Sequence, residues 1–195
     1  MTAKTVRFLV ASVAICVGIL GVSQALAADT YQIDPVHSSF LFRIKHMGVS
    51  YTNGRFNQCS GNFVLDEADP SKDSIEVAVK TASLDTAVEA RDKDLKSDKY
   101  FDVEKYPEMT FKSKTFKKNG DADFDVTGDL TIHGVTKQVT VKAQFVGKGK
   151  GMRGDERAGW EATFTIDRKD YGMTTMPDMI GSEVTIRVGV EGIKK

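Results

Sequence analysis

The sequence predicts an all-β protein, an eight-stranded antiparallel β-barrel with one short helical excursion. Three observations carry that expectation. Eight short segments each alternate apolar and polar residues with period two, the mark of strands buried on one face. Turn signals such as Asn119-Gly120 and His133-Gly134 separate neighbouring segments and favour sequential hairpins. One stretch only, Ser83–Phe111, breaks the period. Closing such a sheet into a barrel removes its edges, and eight strands leave an interior wide enough for packed side chains or one small ligand.

Residues 1–27 read as a cleaved signal peptide. Lys4 and Arg7 form a charged start, Phe8–Val22 is an uncharged and mostly apolar run, and Ala25-Leu26-Ala27 fits a small-x-small cleavage site. The run is short for a bilayer span, which needs about 20 residues. The expectation is export to a periplasm of a mature domain covering 28–195. Losing Lys4 and Arg7 leaves 25 basic against 27 acidic residues. No basic patch points to nucleic acid. Cys59 is the one cysteine left after processing, so no internal disulfide forms, and a small buried hydrophobe is its ordinary role.

The strands follow in order. Ser38–His46 places Phe40, Phe42 and Ile44 on one face and Arg43 and Lys45 on the other, with His46 ending in the aromatic register. Asn53-Gly54 punctuates the entry to a second strand, Arg55–Leu65, whose large apolar positions include Phe56 and Phe63, with Gly61 as a candidate bulge. Ile75, Val77 and Val79 alternate in the third, and Met109 and Phe111 in the fourth. Phe124, Val126, Leu130 and Ile132 mark the fifth, and Val139, Val141, Ala143 and Phe145 the sixth. The Gly-rich run Val146–Gly159 reads as a flexible connection. Trp160, Ala162, Phe164 and Ile166 give the seventh strand, and Val184, Ile186, Val188 and Val190 the eighth. The inward set is rich in aromatic rings. A packed core and an apolar tunnel both satisfy this pattern, and alternation alone does not separate them.

Within Ser83–Phe111, Thr86 and Glu89 have the spacing of a capping box, and Ala87–Lys96 is rich in helix formers. The run is almost entirely polar, so the helix lies on a surface. Its exit gathers Tyr100, Phe101, Val103 and Tyr106 before Pro107, an aromatic tail placed to rim or plug whatever the strands enclose. The second unusual stretch is Tyr171–Ile180, where Met173, Met176 and Met179 recur every three residues between helix-breaking Gly172, Pro177 and Gly181. Flexible thioethers suit a lid over an apolar ligand of variable shape. The competing reading is a Cu(I) site, for which no nearby His or Cys completes the ligand set. The three histidines show no zinc spacing, and no metal or catalytic residue is expected.

VHSSFLFRIKHMGVSYTNGRF, ASLDT, EARDKDLKS, YFDVEKYPEMTF, GDLTIHGVTK and the closing VTIRVGVEG, in this order, resemble the YceI-like family of periplasmic, polyisoprenoid-binding, lipocalin-like proteins. The resemblance spans essentially the whole mature chain. It implies a barrel whose lumen takes an isoprenoid quinone tail or a polyprenyl phosphate, for transport or storage rather than catalysis, with no cofactor besides the lipid. The expected lumen residues are Phe40, Phe42, Ile44, Phe56, Phe63, Val77, Phe101, Met109, Phe111, Phe124, Val126, Val141, Phe145, Trp160, Phe164, Met173, Met176, Val184 and Ile186. His46, Arg91 and Asp92 are the head-group candidates. For Arg91 and Asp92, on which the resemblance falls, pinning the helix to the rim is the structural alternative. The expected partners are an isoprenoid lipid and, transiently, a membrane or a membrane redox protein, with the chain a monomer or homodimer. An enzyme acting on isoprenoids is the rival from another class.

Overall fold

A computed structural model describes residues 28–195; the signal-peptide reading falls on 1–27 and lies outside the described residues. Eleven antiparallel strands form one sheet: β1 Asp29–Ile33, β2 Ser39–His46, β3 Ser50–Phe56, β4 Cys59–Leu65, β5 Ser74–Lys80, β6 Leu84–Asp85, β7 Glu108–Lys118, β8 Asp123–Ile132, β9 Val135–Lys150, β10 Glu156–Asp167 and β11 Ile180–Lys194. One helix, α1 Glu89–Lys96, stands between β6 and β7.

The ring β1-β4-β5-β7-β8-β9-β10-β11 closes through β1 and β11, so the predicted eight-stranded barrel is formed. β1 and β2 run the same way along β11, one pairing with Gly192–Lys194 and the other with Ile180–Gly189. Together they make a single interrupted wall strand. β3 and β4 repeat this beside them, with β3 on β2 and β4 on β1.

Several boundaries differ from the sequence reading. The segment Arg55–Leu65 is two strands, because Asn57 and Gln58 leave the ladder and donate their amides to Ser83 Oγ instead, each at 3.1 Å. Asn53-Gly54 lies inside β3. Gly54 is needed there because a Cβ would sit 2.2 Å from Phe42 Cζ on the facing strand. Gly61 pairs in register with Val77 without a bulge, although its φ of +144° favours glycine. The Gly-rich run is mostly strand: β9 continues to Lys150 and β10 begins at Glu156, leaving a short turn. β1 escaped notice because only Tyr31 and Ile33 alternate in so short a segment.

α1 has no buried residue, as its polarity requires. It starts at Glu89 with no side-chain cap, and the predicted capping box does not form. Ala87 turns at φ +61°, which carries Thr86 off the helix axis. Thr86 is held instead by Asp92, whose Oδ1 accepts both its amide (2.9 Å) and its hydroxyl.

The densest core fills one end of the barrel. Tyr31 and Phe63 stack at 5.0 Å, and Trp160 packs edge-on against Phe124, Phe145 and Phe116 at 5.0, 5.0 and 5.6 Å. Phe116 is five residues from Phe111, a spacing that simple alternation puts on the opposite face. A register shift between Ser113 and Thr115 returns it to the interior.

Candidate functional site

Above that aromatic floor the barrel encloses a cavity of about 660 Å³, open at the α1 end. At about 24 cal/mol per Å³, an apolar void of this size would cost on the order of 15 kcal/mol if closed and empty. That rivals the whole net stability of a domain. The interior is therefore an open cavity rather than a packed core.

The wall is built by inward positions of successive strands. β2 and β3 contribute Phe40, Phe42, Ile44 and Phe56, and β5 and β7 contribute Val77, Met109 and Phe111. Val126, Val141, Trp160 and Phe164 come from β8, β9 and β10, and Val184 and Ile186 from β11. Phe101, Met173 and Met176 reach it from the loops. All of these were legible from alternation or from the two unusual stretches.

Three predicted lumen residues do not line it. Phe63, Phe124 and Phe145 face inward but lie below the cavity, where they pack against Tyr31 and Trp160 and form the floor. Alternation gives a residue's face but not its depth. Of the head-group candidates, His46 and Arg91 line the cavity, whereas the Asp92 carboxylate is turned to Thr86. Arg91 is also engaged, donating from Nε to Thr86 Oγ1 (2.8 Å) and from Nη2 to Thr86 O (2.9 Å). The Arg91–Thr86–Asp92 cluster fixes α1 against β6 at the rim.

Two excursions meet across the mouth. Thr175 Oγ1 donates to Lys99 O (2.6 Å), and the Tyr100 hydroxyl donates to Met176 sulfur (3.4 Å). Burial, with the Asp94 carboxylate nearby, pushes the Tyr100 phenol above its ordinary pKa. Phe101 packs edge-on against Phe56 at 5.4 Å. The methionine run does not present one face: Met173 is buried, while Met176 and Met179 are exposed. Met47 N donates to Met179 O (2.6 Å), which joins the β2–β3 turn to this loop. Exposed apolar side chains on these rim segments are Met47, Val49 (83 % exposed), Tyr51, Val88, Met176 and Met179, while Val36, Leu41, Val146 and Met152 are exposed elsewhere on the barrel.

Sequence reasoning missed Arg168, which lines the cavity and is only 4 % exposed. It follows β10 in a short 3-10 turn, Arg168–Tyr171, and the Met173–Gly181 segment folds over it. Nε donates to Gly181 O (2.9 Å), Nη1 to Met173 O (2.5 Å) and Nη2 to Ile180 O (2.9 Å). Burial pulls its pKa below the usual arginine value. No local pattern marks an arginine after a strand as interior.

At the closed end, Arg157 meets three carboxylates: Asp155 (2.6 Å), Asp34 (2.9 Å) and Glu191 (2.5 Å). His37 Nδ1 lies 2.8 Å from Asp34. The His37 hydrogen bond, with Arg157 adding to it, lowers the Asp34 carboxyl to about 2. Asp34, His37 and Glu191 are spaced closely enough for a cation, but the Arg157 guanidinium already occupies that position. Cys59 packs partly against the core, and burial raises its thiol pKa.

The model of the YceI-like domain matches residues 31–192. The chain belongs to the YceI-like family. This YceI-like chain is 44 % identical over 174 residues to a UPF0312 protein of Pseudomonas aeruginosa, covering 88 % of this chain and 90 % of that one. Among solved structures it is similar to BcnA of Burkholderia cenocepacia, with TM-score 0.75, 23 % identity, and coverage of 82 % and 98 %. It is also similar to a polyisoprenoid binding domain from Saccharophagus degradans, with TM-score 0.66, 16 % identity, and coverage of 85 % and 98 %. At these identities the two structures show the shared fold.

Proposed function

We propose that this YceI-like barrel is a carrier that holds the tail of a long-chain isoprenoid lipid, a quinone or a polyprenyl phosphate, in its lumen for periplasmic transport or storage. The observation that carries the reading is the 660 Å³ apolar cavity, open at one end. The polyisoprenoid binding described for the Saccharophagus domain of the same fold supports the ligand class. Each buried methylene-sized group contributes about 0.8 kcal/mol, so a prenyl tail needs few polar contacts for affinity. The work of the site is binding, not bond making. The apolar rim of Met47, Val49, Tyr51, Met176 and Met179 is the surface through which the mouth would meet a membrane, where such lipids reside.

Mass spectrometry of organic extracts from protein purified without denaturation tests the reading. Prenyl lipid should be recovered in stoichiometric amount. Ala162→Phe, at a small cavity-lining position on β10, should leave the barrel folded and shift the bound population to shorter tails. A folded protein that carries no lipid, and takes up neither quinones nor polyprenyl phosphates, would eliminate the carrier role.

A further inference from the structure

The charged side chains on the cavity wall are Lys45, Arg91, Asp94, Glu161 and Arg168. Glu161 is paired with Arg187 at 3.1 Å, and Asp94 has Lys99 at 3.8 Å. Arg91 is committed to Thr86. Arg168 differs from all of these. It is the most buried charge of the five, and its three hydrogen bonds go to neutral backbone carbonyls.

A guanidinium removed from water needs an opposite charge as well as hydrogen-bond acceptors, because carbonyl dipoles compensate only part of its lost hydration. The same chain shows the satisfied arrangement in Arg157, which sits among three carboxylates. Around Arg168 the described residues supply no carboxylate within ion-pair distance, and the space beside it is the cavity. Of its five N–H groups three are used, leaving one on each Nη. Each is a charge-assisted donor that a phosphate oxygen can accept.

We infer that the lipid held here carries an anionic head group, a prenyl phosphate rather than a neutral quinone, and that Arg168 is the group that recognises it. This rests on the proposed lipid-binding role of the lumen and narrows it. Arg168 also holds the carbonyls of Met173, Ile180 and Gly181, so one guanidinium joins the head group to the methionine loop that covers it.

Competition binding to the delipidated mature chain tests the inference, using a prenyl phosphate, the prenol of the same length and a quinone with the same tail. The wild type should prefer the phosphate by roughly tenfold or more over either neutral lipid, the scale of one charge-assisted contact. In Arg168→Gln the ratio of phosphate to prenol affinity should fall to within about twofold, because losing the loop anchors weakens both lipids alike whereas losing the charge weakens only the phosphate. A folded Gln variant with an undiminished preference overturns the assignment. A measurement on the wild type alone guards against a variant that does not fold. By ³¹P NMR, the second ionisation of the phosphate, near about 6 when free, should move down in the complex. An unshifted or raised value, as burial away from a cation would give, overturns the inference. Equal affinities for all three lipids remove the Arg168 inference and leave the carrier reading intact; failure of all three to bind removes both.

Discussion

Arg157 and Arg168 stand at opposite ends of β10, and the two ends of the barrel are built on different physical plans. At the closed end, aromatic rings interlock around Trp160 and Phe63, and Arg157 is neutralised by Asp34, Asp155 and Glu191. At the mouth, rings and thioethers surround open space, and Arg168 is bonded only to carbonyls. One end spends its residues on stability and the other withholds contacts that a ligand can supply. Substitutions should therefore separate the two ends by what they disturb.

The largest effect is expected at the floor. Phe63 is 1 % exposed and stacked on Tyr31, and Phe63→Ala should cost about 3–5 kcal/mol in urea unfolding. A cost below about 1 kcal/mol would mean that stability does not reside there. Phe101, half-buried at the mouth, should behave differently. Phe101→Ala should cost about 1–2 kcal/mol and chiefly speed lipid release, read as an increased dissociation rate.

Acid sharpens the same contrast. The Asp34 carboxyl titrates near 2 in the folded chain, below its ordinary 3.8. A folded-state value below the unfolded one adds stability that is complete above the unfolded value and lost as the pH falls through the folded one. The stability difference between the wild type and Asp34→Asn should thus be present at neutral pH and shrink between about pH 4 and about pH 2. A difference that persists below that range would place the role of Asp34 in geometry rather than charge.

The smallest stability effect belongs to the exposed rim. Met47→Ser with Val49→Ser should change unfolding free energy by no more than about 0.5 kcal/mol, while reducing cosedimentation with anionic vesicles. Unchanged cosedimentation would detach the rim from membrane contact.

Much of the wall was legible because strand alternation is a local property. Phe42, Val77, Phe111 and Phe164 face inward as their period requires. The helix was legible as a surface element because Leu95 is its one large apolar residue. What escaped depends on relations between distant segments. Phe116 turns inward through a register shift against β8. Phe63, Phe124 and Phe145 have the right face but the wrong height for the lumen. Arg168 is buried only because a loop from Met173 to Gly181 lies over it. Cavity and packed core also share one alternation pattern, so the space itself had to be seen in three dimensions.

The interrupted wall strand has a kinetic consequence. β11 carries the seal at both levels, pairing with β1 below and β2 above, and closure sets Tyr31 beside Lys194, more than 160 residues away in sequence. Such a contact closes a far longer loop than the local hairpins from β7 to β11, so loop-closure entropy favours forming those hairpins first. Until that final pairing, the greasy inner face remains an open sheet with two bare edges. The interval before closure, with apolar surface and unpaired edges exposed, is when this chain is most prone to aggregation.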